Sequence, residues 1–441
     1  MDTIGAIATP GGAGGIGIVR VSGKNARDVF TRFFRAENTD IKDRYAYFGR
    51  VVDLNNEVLD SGIGLFFGGP ASYTGEDVVE FQIHGTPVVL RKLLNSILKS
   101  KLARLAEPGE FTKRAFLNGK LSLTETERLN LLLNAETELQ LRVAKELSKG
   151  KMAKRFTELR ENLMNLESRI EASIEYPEDD ETGGALEAAM SLALLLLNEM
   201  ERLAASYKRV IHWTEGVRVV IAGAPNAGKS SLLNAIVGYQ RAIVTSVPGT
   251  TRDTVEVTVD IEGLRCTFVD TAGFQNPGDE VEAAGIARAR DQIELADIVV
   301  LVWDSENIVE SERIEKEITG KPQHLLRVKS KADRLDEPAG DFIQVSAKTG
   351  SGVGELLKRI RILFDDVDLE HVFLFTERQK QAVEMAIEEL NLAISFLVDD
   401  GTLEIAAAHL KTARWHLETV IGLVTTDEIL DGIFSNFCLG K

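Results

Sequence analysis

One octapeptide, GAPNAGKS at residues 223–230, restricts the fold of this chain more than any other segment. It follows the apolar run VRVVIAG and precedes SSLLNAIVG, which has helical character. A glycine-rich turn between a strand and a helix lets backbone amides converge on a phosphate, and the helix N-terminus adds partial positive charge. In such a loop Lys229 reaches the β- and γ-phosphates, and the Ser230 hydroxyl ligates Mg²⁺. The octapeptide therefore predicts an α/β domain that binds a nucleoside triphosphate, without distinguishing ATP from GTP.

Two segments further along the chain are typical of loops that sense a γ-phosphate. VPGTTRD offers Thr250 and Thr251, whose hydroxyls can contact the γ-phosphate and complete the Mg²⁺ shell. DTAG ends the apolar strand LRCTFVD, which places Asp270 near a water on Mg²⁺ and the Gly273 amide near the γ-phosphate.

A third segment selects the base. In SKAD, Asp333 can accept hydrogen bonds from the two N–H donors on the guanine edge, a pair that adenine lacks. SAK follows the strand FIQV and offers backbone amides to the base. These segments resemble a translation-factor-type GTPase, except that Ser330 stands where the guanine motif normally begins with an Asn that ties it to the P-loop. The predicted GTP contacts are Asn226, Ala227, Gly228, Lys229, Ser230, Ser231, Thr245, Ser246, Val247, Pro248, Gly249, Thr250, Thr251, Asp270, Thr271, Ala272, Gly273, Ser330, Lys331, Asp333, Ser346, Ala347 and Lys348.

The residues that speed hydrolysis are less evident. Ras-like proteins carry a Gln after DTAG that orients the attacking water, whereas here that residue is Phe274, and Gln275 comes one position late. Asn226, together with the loop 245–251, resembles GTPases in which K⁺ occupies the place of an arginine finger, where a monovalent cation neutralises charge that builds between the β- and γ-phosphates. An acid of GDEVEAAG can orient the water. The competing interpretation makes Arg252 a cis arginine finger, and we favour K⁺.

The texture of the chain predicts three parts. The first 118 residues alternate short β-like runs, glycines and one helix over 88–104, which favours an α+β domain. Helical periodicity from Leu121, interrupted at YPEDDETGGALE where proline, acids and a glycine pair are expected to stop the helix, returns after about residue 372. Strands and helices alternate between these two blocks, which indicates a parallel sheet covered on both faces and inserted into one helical bundle. The predicted domains are 1–118, 119–213, 214–368 and 369–441.

Charge and cysteine content exclude several classes of protein. The chain has 51 Lys and Arg residues and 68 Asp and Glu residues, which gives a net charge of −17. A surface that acidic is poorly suited to coating nucleic acid or an anionic membrane, so any contact with RNA must be a local patch or belong to a partner. Cys266 and Cys438 are too few for a disulfide framework. With neither an apolar run of about 18 residues nor a secretory signal, we expect a cytoplasmic protein without a membrane span.

The order of the domains resembles the MnmE (TrmE) family of tRNA-modification GTPases, and the likeness runs nearly end to end. At the front, TIGAIATPGGAGGIGIVRVSG, SYTGEDVVEFQIHG and PGEFTKRAFLNGKLSLTE look like that family's signatures. At the back, FCLGK is similar to the family's FCIGK, with Leu439 for the usual Ile. The resemblance implies an N-terminal α+β domain that binds tetrahydrofolate and dimerises, an α-helical bundle domain, and an inserted α/β Ras-like P-loop GTPase domain.

The same resemblance implies specific ligands. It assigns a tetrahydrofolate derivative, in the 5-formyl or 5,10-methylene form, to the front domain, and it assigns Mg²⁺ and K⁺ to the GTP site. It makes Glu282 the residue that acts on the attacking water and makes Cys438 necessary for modification, with the chemical role of this thiol left open. The implied folate contacts are Arg20, Glu80, Lys120 and Lys441, the implied Mg²⁺ ligands are Ser230 and Thr251, and the implied K⁺ ligands are Asn226, Thr245, Val247 and Thr250.

The implied function is tRNA modification. Together with a flavin-dependent protein, MnmG (GidA), a homodimer of such a chain forms a heterotetramer that adds an aminomethyl or carboxymethylaminomethyl group at C5 of the wobble uridine of certain tRNAs. GTP hydrolysis is K⁺-assisted and coupled to dimerisation of the GTPase domains. The alternative is a ribosome-assembly or translation GTPase that acts as an RNA-binding switch, which residues 217–366 alone fit equally well. That alternative predicts no folate site and usually a basic appendage.

Overall fold

Two compact units make up the chain in the computed structural model. One contains residues Met1–Asn130, Arg155–Pro177 and Asp400–Lys441, and the other contains Leu131–Lys154 and Glu178–Asp399. No helix of the residues described is long and apolar enough to cross a membrane. The structure describes residues 2–36, 41–147, 150–175, 182–240, 256–270, 291–303, 308–318, 324–334, 341–364, 374–398, 402–435, 437–438 and 440.

The first unit begins with a seven-stranded sheet in the order β3-β4-β5-β6-β2-β1-β7. All neighbouring strands are antiparallel except β1 and β7, which are parallel. Its elements are β1 (Ile4–Ile7), β2 (Gly14–Ser22), α1 (Ala26–Phe33), β3 (Phe34–Ala36), β4 (Tyr47–Val52), β5 (Val58–Phe67), β6 (Val78–Gly85), α2 (Pro87–Lys99), β7 (Arg104–Leu105) and α3 (Glu110–Leu117).

The side chains of this sheet alternate between a covered and an open face. On β2, Val19 and Val21 are buried in the core that α1 and α2 cover, so Ile18 and Arg20 lie on the other face. Arg20 is opposite Glu80 on β6. The predicted α+β domain is confirmed, and this second face carries Arg20 and Glu80, two of the four predicted folate contacts.

The helix predicted over 88–104 is shorter in the structure. It ends at Lys99, and Lys101 adopts a left-handed conformation with φ 60°. The chain then turns into β7, where the Arg104 amide donates to the Thr3 carbonyl at 3.0 Å. Pairing with β1 supplies the hydrogen bonds that another helical turn would otherwise make, so the tertiary contact overrides the helical pattern.

Long helices from two separated parts of the sequence pack against each other within each of the two units. Arg414 on α12 (Leu403–Ile421) donates to Glu167 on α6 (Lys151–Glu175), and Arg160 on α6 donates to Glu418 on α12. A second pair, α7 and α11, packs along its length. The preceding helix ends at Glu175, where a break was predicted, but the glycine pair at 183–184 lies inside the first turn of α7. The helices are α4 (Leu123–Leu133), α5 (Glu138–Leu147), α6 (Lys151–Glu175), α7 (Thr182–Thr214), α11 (Glu377–Val398), α12 (Leu403–Ile421) and α13 (Asp427–Phe434).

The inserted domain contains a six-stranded sheet in the order β13-β12-β11-β8-β10-β9. Alternate residues of β8 enter two different cores, Val219 and Ile221 on one face and Val220 and Ala222 on the other, so the sheet is covered on both faces as predicted. Its elements are β8 (Val217–Gly223), α8 (Lys229–Tyr239), β9 (Glu256–Ile261), β10 (Leu264–Asp270), β11 (Ile298–Trp303), α9 (Ile308–Ile318), β12 (His324–Lys329), a 3₁₀ turn (Ala332–Arg334), β13 (Ile343–Gln344) and α10 (Val353–Ile362).

One strand of this sheet departs from the predicted parallel arrangement. β9 pairs antiparallel with β10 at the edge, and sequence analysis missed it. The two-residue turn between them, Glu262 and Gly263, has positive φ at both positions, 51° and 90°. Such a turn matches the twist of the flanking strands, so the pair closes as a hairpin.

Candidate functional site

The P-loop joins the end of β8 to the start of α8. Gly223 has φ 150°, and a Cβ there would overlap the Val302 carbonyl oxygen on the neighbouring strand β11. Asn226 and Gly228 both adopt positive φ, 61° and 97°. Gly223 thus allows the loop to lie close to β11, and the left-handed conformations of Asn226 and Gly228 direct backbone amides toward a phosphate.

Lys229 lies buried at the base of this loop. Its side-chain amine donates to the Gly223 carbonyl at 2.8 Å and the Ala224 carbonyl at 2.9 Å, and the residue is 4% exposed. Burial lowers the pKa of the Lys229 amine, and the nearby Asp270 carboxylate opposes that shift. A buried cation at a helix N-terminus fits an anionic ligand, because the anion supplies the charge that burial removes from water.

A hydroxyl and a carboxylate meet beside this lysine. Ser230 Oγ donates to Asp270 Oδ2 at 2.6 Å, and Asp270 ends β10 next to β8. Among the described residues no group of three or more His, Cys, Asp or Glu side chains could hold a metal by itself. Two hard oxygens with ligand phosphates nearby fit Mg²⁺, which is commonly bound by one or two protein groups and substrate phosphates.

A cavity of about 240 Å³ opens on the far side of the P-loop. Asp333 Oδ1 accepts a hydrogen bond of 2.7 Å from Ser346 Oγ, which fixes the carboxylate at the cavity wall. Leu232, Val328 and Val345 supply apolar walls of the cavity. They were not predicted as part of the site because apolar residues in a strand or helix are normally expected in the core. The predicted residues that line the cavity are Asn226, Gly228, Ser231, Ser330, Lys331, Asp333, Ala347 and Lys348.

Ser330 bonds to β11 in this structure. Its amide and its Oγ both donate to the Trp303 carbonyl, at 3.0 and 3.2 Å. A Cβ added to Gly228 would lie 3.9 Å from Ser330 Oγ, so the two residues face each other across a gap. These two hydrogen bonds of the serine therefore join it to the neighbouring strand, whereas an Asn was expected to tie the motif to the P-loop.

Ala227, also a predicted contact, is fully buried within the P-loop. The remaining predicted residues of the GTP site lie outside the described part of the chain. They are Thr245, Ser246, Val247, Pro248, Gly249, Thr250, Thr251, Thr271, Ala272, Gly273 and Glu282.

In the first unit, Arg20 is surrounded by groups from four parts of the sequence. Its Nε lies 2.9 Å from Glu80 Oε1, and its Nη1 donates to the Gly440 carbonyl at 3.3 Å. The guanidinium carbon lies 5.7 Å from the ring centroid of Tyr73 and 5.8 Å from that of Phe111. A guanidinium that is paired with one carboxylate and lies near two aromatic rings fits a ligand that has a planar ring and an anionic tail.

The segment containing Cys438 is seated against β1. Gly440 has φ 91°, and a Cβ there would overlap the Ile7 carbonyl oxygen. Phe437 packs in a buried cluster with Phe434 and Leu123. Cys438 is exposed, and Lys441 lies outside the described residues. The chain thus brings Gly440 to Arg20 from a distant part of the sequence.

Lys120 lies beside the loop 68–77, which connects β5 to β6. A Cβ on Gly75 would come within 3.5 Å of Lys120 Cγ. Sequence analysis missed Tyr73, Phe111 and Gln82, whose amide donates to Glu80 Oε2 at 3.1 Å. Tyr73 and Phe111 belong to the quoted segments SYTGED and PGEFTKR, so those motifs carried the signal.

Known proteins match the whole length of the chain. A family model described as "GTP-binding protein TrmE N-terminus" matches residues 3–120, and one described as "MnmE helical domain" matches residues 123–438. The protein named "tRNA modification GTPase MnmE" from Aquifex aeolicus (strain VF5) is 39% identical over 457 residues, covering 100% of this chain and 100% of that protein.

Two solved structures are similar to parts of the chain at low TM-scores. Era from Aquifex aeolicus is 21% identical with a TM-score of 0.28, over 47% of this chain and 89% of that one. The G domain of the T. maritima FeoB iron transporter is 26% identical with a TM-score of 0.27, over 33% of this chain and 97% of that one. No conclusion about the chain rests on either, because both TM-scores are low.

Proposed function

The chain belongs to the MnmE (TrmE) family of tRNA modification GTPases, and we propose that, with a flavin-dependent partner of the MnmG (GidA) type, it adds an aminomethyl or carboxymethylaminomethyl group at C5 of the wobble uridine of certain tRNAs. The resemblance seen in the sequence is thereby confirmed at the level of the family. The observation that carries the proposal is that one chain combines a cavity lined by Asp333 and the P-loop with an Arg20–Glu80 pair that contacts Gly440.

For GTP binding, each described residue has one task. The Lys229 amine, held by two loop carbonyls, neutralises phosphate charge, and Ser230 with Asp270 holds Mg²⁺ directly or through water. Asp333, fixed by Ser346, accepts from the guanine edge. Mg²⁺, when bound, neutralises charge that develops on the phosphates.

For hydrolysis we propose K⁺ and Glu282. K⁺ would be held by Asn226, Thr245, Val247 and Thr250, Thr251 would join Ser230 on Mg²⁺, and Glu282 would orient the attacking water. The supporting observations are that Asn226 has positive φ at the edge of the nucleotide cavity, that the P-loop sequence lacks arginine, and that Phe274 cannot orient water.

For the one-carbon donor we propose a tetrahydrofolate derivative, 5-formyl or 5,10-methylene, bound by Arg20, Glu80, Lys120 and Lys441. The two aromatic rings near the Arg20 guanidinium and the position of Lys120 beside the loop 68–77 support this assignment. The folate supplies a one-carbon unit when bound. Cys438, exposed two residues before Gly440, is the proposed participant in modification, with its chemical role open.

For assembly we propose a homodimer, which joins MnmG in a heterotetramer that acts on tRNA. The open face of the N-terminal sheet carries exposed apolar side chains, among them Phe48 at 75% exposure and Ile63, which is opposite it on β5. Apolar residues grouped on a sheet face favour association with another protein surface. The acidic balance of the chain supports a partner that shares the contact with tRNA. A cytoplasmic location stays a prediction.

The alternative of a ribosome-assembly or translation GTPase accounts for the inserted domain only. It gives no reason for a family match over residues 3–120 or for the arrangement around Arg20.

The test is mass spectrometry of nucleosides from bulk tRNA of a strain that lacks this gene. We expect loss of C5-aminomethyl-type wobble uridines, restored by the intact chain but not by Cys438→Ser. An unchanged nucleoside profile beside abnormal ribosomal subunits would instead favour the assembly GTPase.

A further inference from the structure

The loop 68–77 touches two of the four proposed folate contacts. The Tyr73 ring lies against the Arg20 guanidinium, and Gly75 lies beside Lys120. Because both contacts depend on where the loop runs, its position sets the width of the site.

Polar side chains of neighbouring segments hydrogen-bond to this loop. The Ser22 hydroxyl on β2 lies 2.7 Å from Thr74 Oγ1 and donates to Glu76 Oε2 at 2.7 Å. Asn118 Nδ2 donates to the Thr74 carbonyl at 2.7 Å. Burial raises the pKa of the Tyr73 phenol, whose oxygen lies 2.9 Å from Thr112 Oγ1 on α3.

Arg114, one turn of the helix after Glu110, joins these groups to the start of the chain. Its Nη1 donates to Glu76 Oε1 and Oε2 at 3.2 and 3.1 Å and to the Asp2 carbonyl at 2.6 Å. Its Nη2 donates to Asp2 Oδ1 at 2.7 Å and Glu110 Oε1 at 2.8 Å. The side chain is 4% exposed, and a buried charge of this kind is stable only while its partners stay in place.

Three residues of α3 therefore reach three parts of one site. Phe111 packs against Arg20, Thr112 bonds to Tyr73, and Arg114 binds Glu76. The helix also carries the contact to the distant segment, since a Cβ on Gly109 would come 2.6 Å from the Phe434 carbonyl oxygen.

We propose that Arg114 is a positioning residue for the folate site. By holding Glu76 it fixes the loop 68–77 against α3, and through Tyr73 it fixes the side chain of Arg20. This inference rests on the proposed folate site and adds to it a residue that does not touch the ligand.

Arg104 offers a matched control. It binds the same two acids as Arg114, Asp2 at 2.6 Å and Glu110 at 2.6 Å, whereas Glu76 is bound by Arg114. Its side chain is 44% exposed. If the ion pairs with Asp2 and Glu110, which both arginines make, are what maintain the site, Arg104→Met and Arg114→Met affect it alike. Positioning through Glu76 predicts an effect of Arg114→Met alone.

The experiment uses the full chain with either substitution. Calorimetry measures the affinity for 5-formyltetrahydrofolate, and amide hydrogen exchange measures protection of the loop 68–77. We expect Arg114→Met to bind folate roughly ten- to hundredfold more weakly, the range typical of lost supporting contacts, with faster exchange in the loop and unchanged GTP affinity. Arg104→Met is expected to match the wild type in both measurements.

Two results would overturn the proposal for Arg114, namely equal loss in the two variants or folate affinity unchanged in folded Arg114→Met. Failure of the wild type itself to bind folate removes the folate assignment and this inference with it, and it is distinguishable because the loss precedes any substitution. If Arg114→Met does not fold, Glu76→Ala removes the same contact from the loop side and is expected to give the same loss of affinity and protection. Wild-type affinity in Glu76→Ala would also overturn the proposal.

Discussion

Ser230 Oγ donates a 2.6 Å hydrogen bond to Asp270 Oδ2, so the second residue of α8 and the last residue of β10 meet at one edge of the sheet. Asp270 is also the residue at which the described part of β10 ends. The two strands that carry the phosphate loop and DTAG are neighbours in the sheet, and this adjacency explains why motifs 40 positions apart in sequence share one ligand.

Ser330→Asn is expected to strengthen guanine-nucleotide binding. Ser330 Oγ bonds to the Trp303 carbonyl, whereas the longer amide can reach the P-loop near Gly228. One added hydrogen bond contributes about 1 kcal/mol, or about fivefold in affinity. Titration with a fluorescent GDP analogue measures this, and Ser330→Ala, which leaves the P-loop side unchanged, is expected to bind as the wild type does. Weaker binding by Ser330→Asn would contradict the expectation.

Asp333→Asn is expected to lower the preference for guanine. The carboxylate that Ser346 orients accepts two hydrogen bonds from guanine, and an amide can accept at only one of its two atoms. Leaving a buried polar group unpaired can reduce selectivity by about 10⁴-fold or more in sites built for that hydrogen bond. Competition between GTP and XTP reports the change, because xanthine presents a carbonyl where guanine presents an amine. Undiminished GTP preference would remove Asp333 from the base site.

Glu282→Ala is expected to slow GTP hydrolysis by about 10²-fold or more while GTP affinity is retained, because a water-orienting group acts in the transition state. Single-turnover hydrolysis and equilibrium binding separate the two quantities. Replacing K⁺ with Na⁺ in the same assay is expected to slow the wild type. Equal loss of binding and hydrolysis in the variant would indicate that Glu282 supports the fold.

His212 is expected to make the second unit less stable in mild acid. Burial lowers the pKa of the imidazole from its usual 6.5, partly opposed by Asp297 and reinforced by His324. The unfolded chain therefore takes up a proton before the folded chain does, so the contribution is present above pH 6.5 and is lost as pH falls toward the folded pKa. Urea unfolding at several pH values measures the slope, and His212→Gln is expected to flatten it. An unaltered slope would contradict this assignment.

Gly440→Ala is expected to weaken folate binding. The added methyl group would overlap the Ile7 carbonyl oxygen, and alanine disfavours φ 91°, so the segment that contacts Arg20 must move. We expect roughly ten- to hundredfold lower folate affinity, the cost of a misplaced contact, with GTP affinity retained. Gly432→Ala, where a Cβ meets no atom within 4 Å, is the control. Equal folate affinities in the two variants would contradict the proposed part of Gly440.

The local motifs were the most predictable features. The P-loop and the SKAD segment are contiguous in sequence, and strand, turn and helix each have their own pattern, so the cavity at Asp333 follows from the residues alone. The hairpin of β9 was missed because its turn, Glu262–Gly263, is not among the commonest turn pairs.

The arrangement around Arg20 followed only from family resemblance, because its partners Glu80 and Gly440 are 60 and 420 positions away. Arg114 was not predicted at all. An arginine within a helical sequence pattern is normally predicted to lie at the surface, and only the fold brings Asp2 and Glu76 to Arg114.

Because Arg20 bonds to Gly440, the N-terminal site can be completed only late in protein synthesis. All predicted contacts with GTP lie between residues 226 and 348, so the ribosome completes that domain well before residue 440 emerges. A nascent chain that stops earlier can carry a finished nucleotide-binding domain and an unfinished N-terminal site. Truncated products are therefore expected to consume GTP without modifying tRNA.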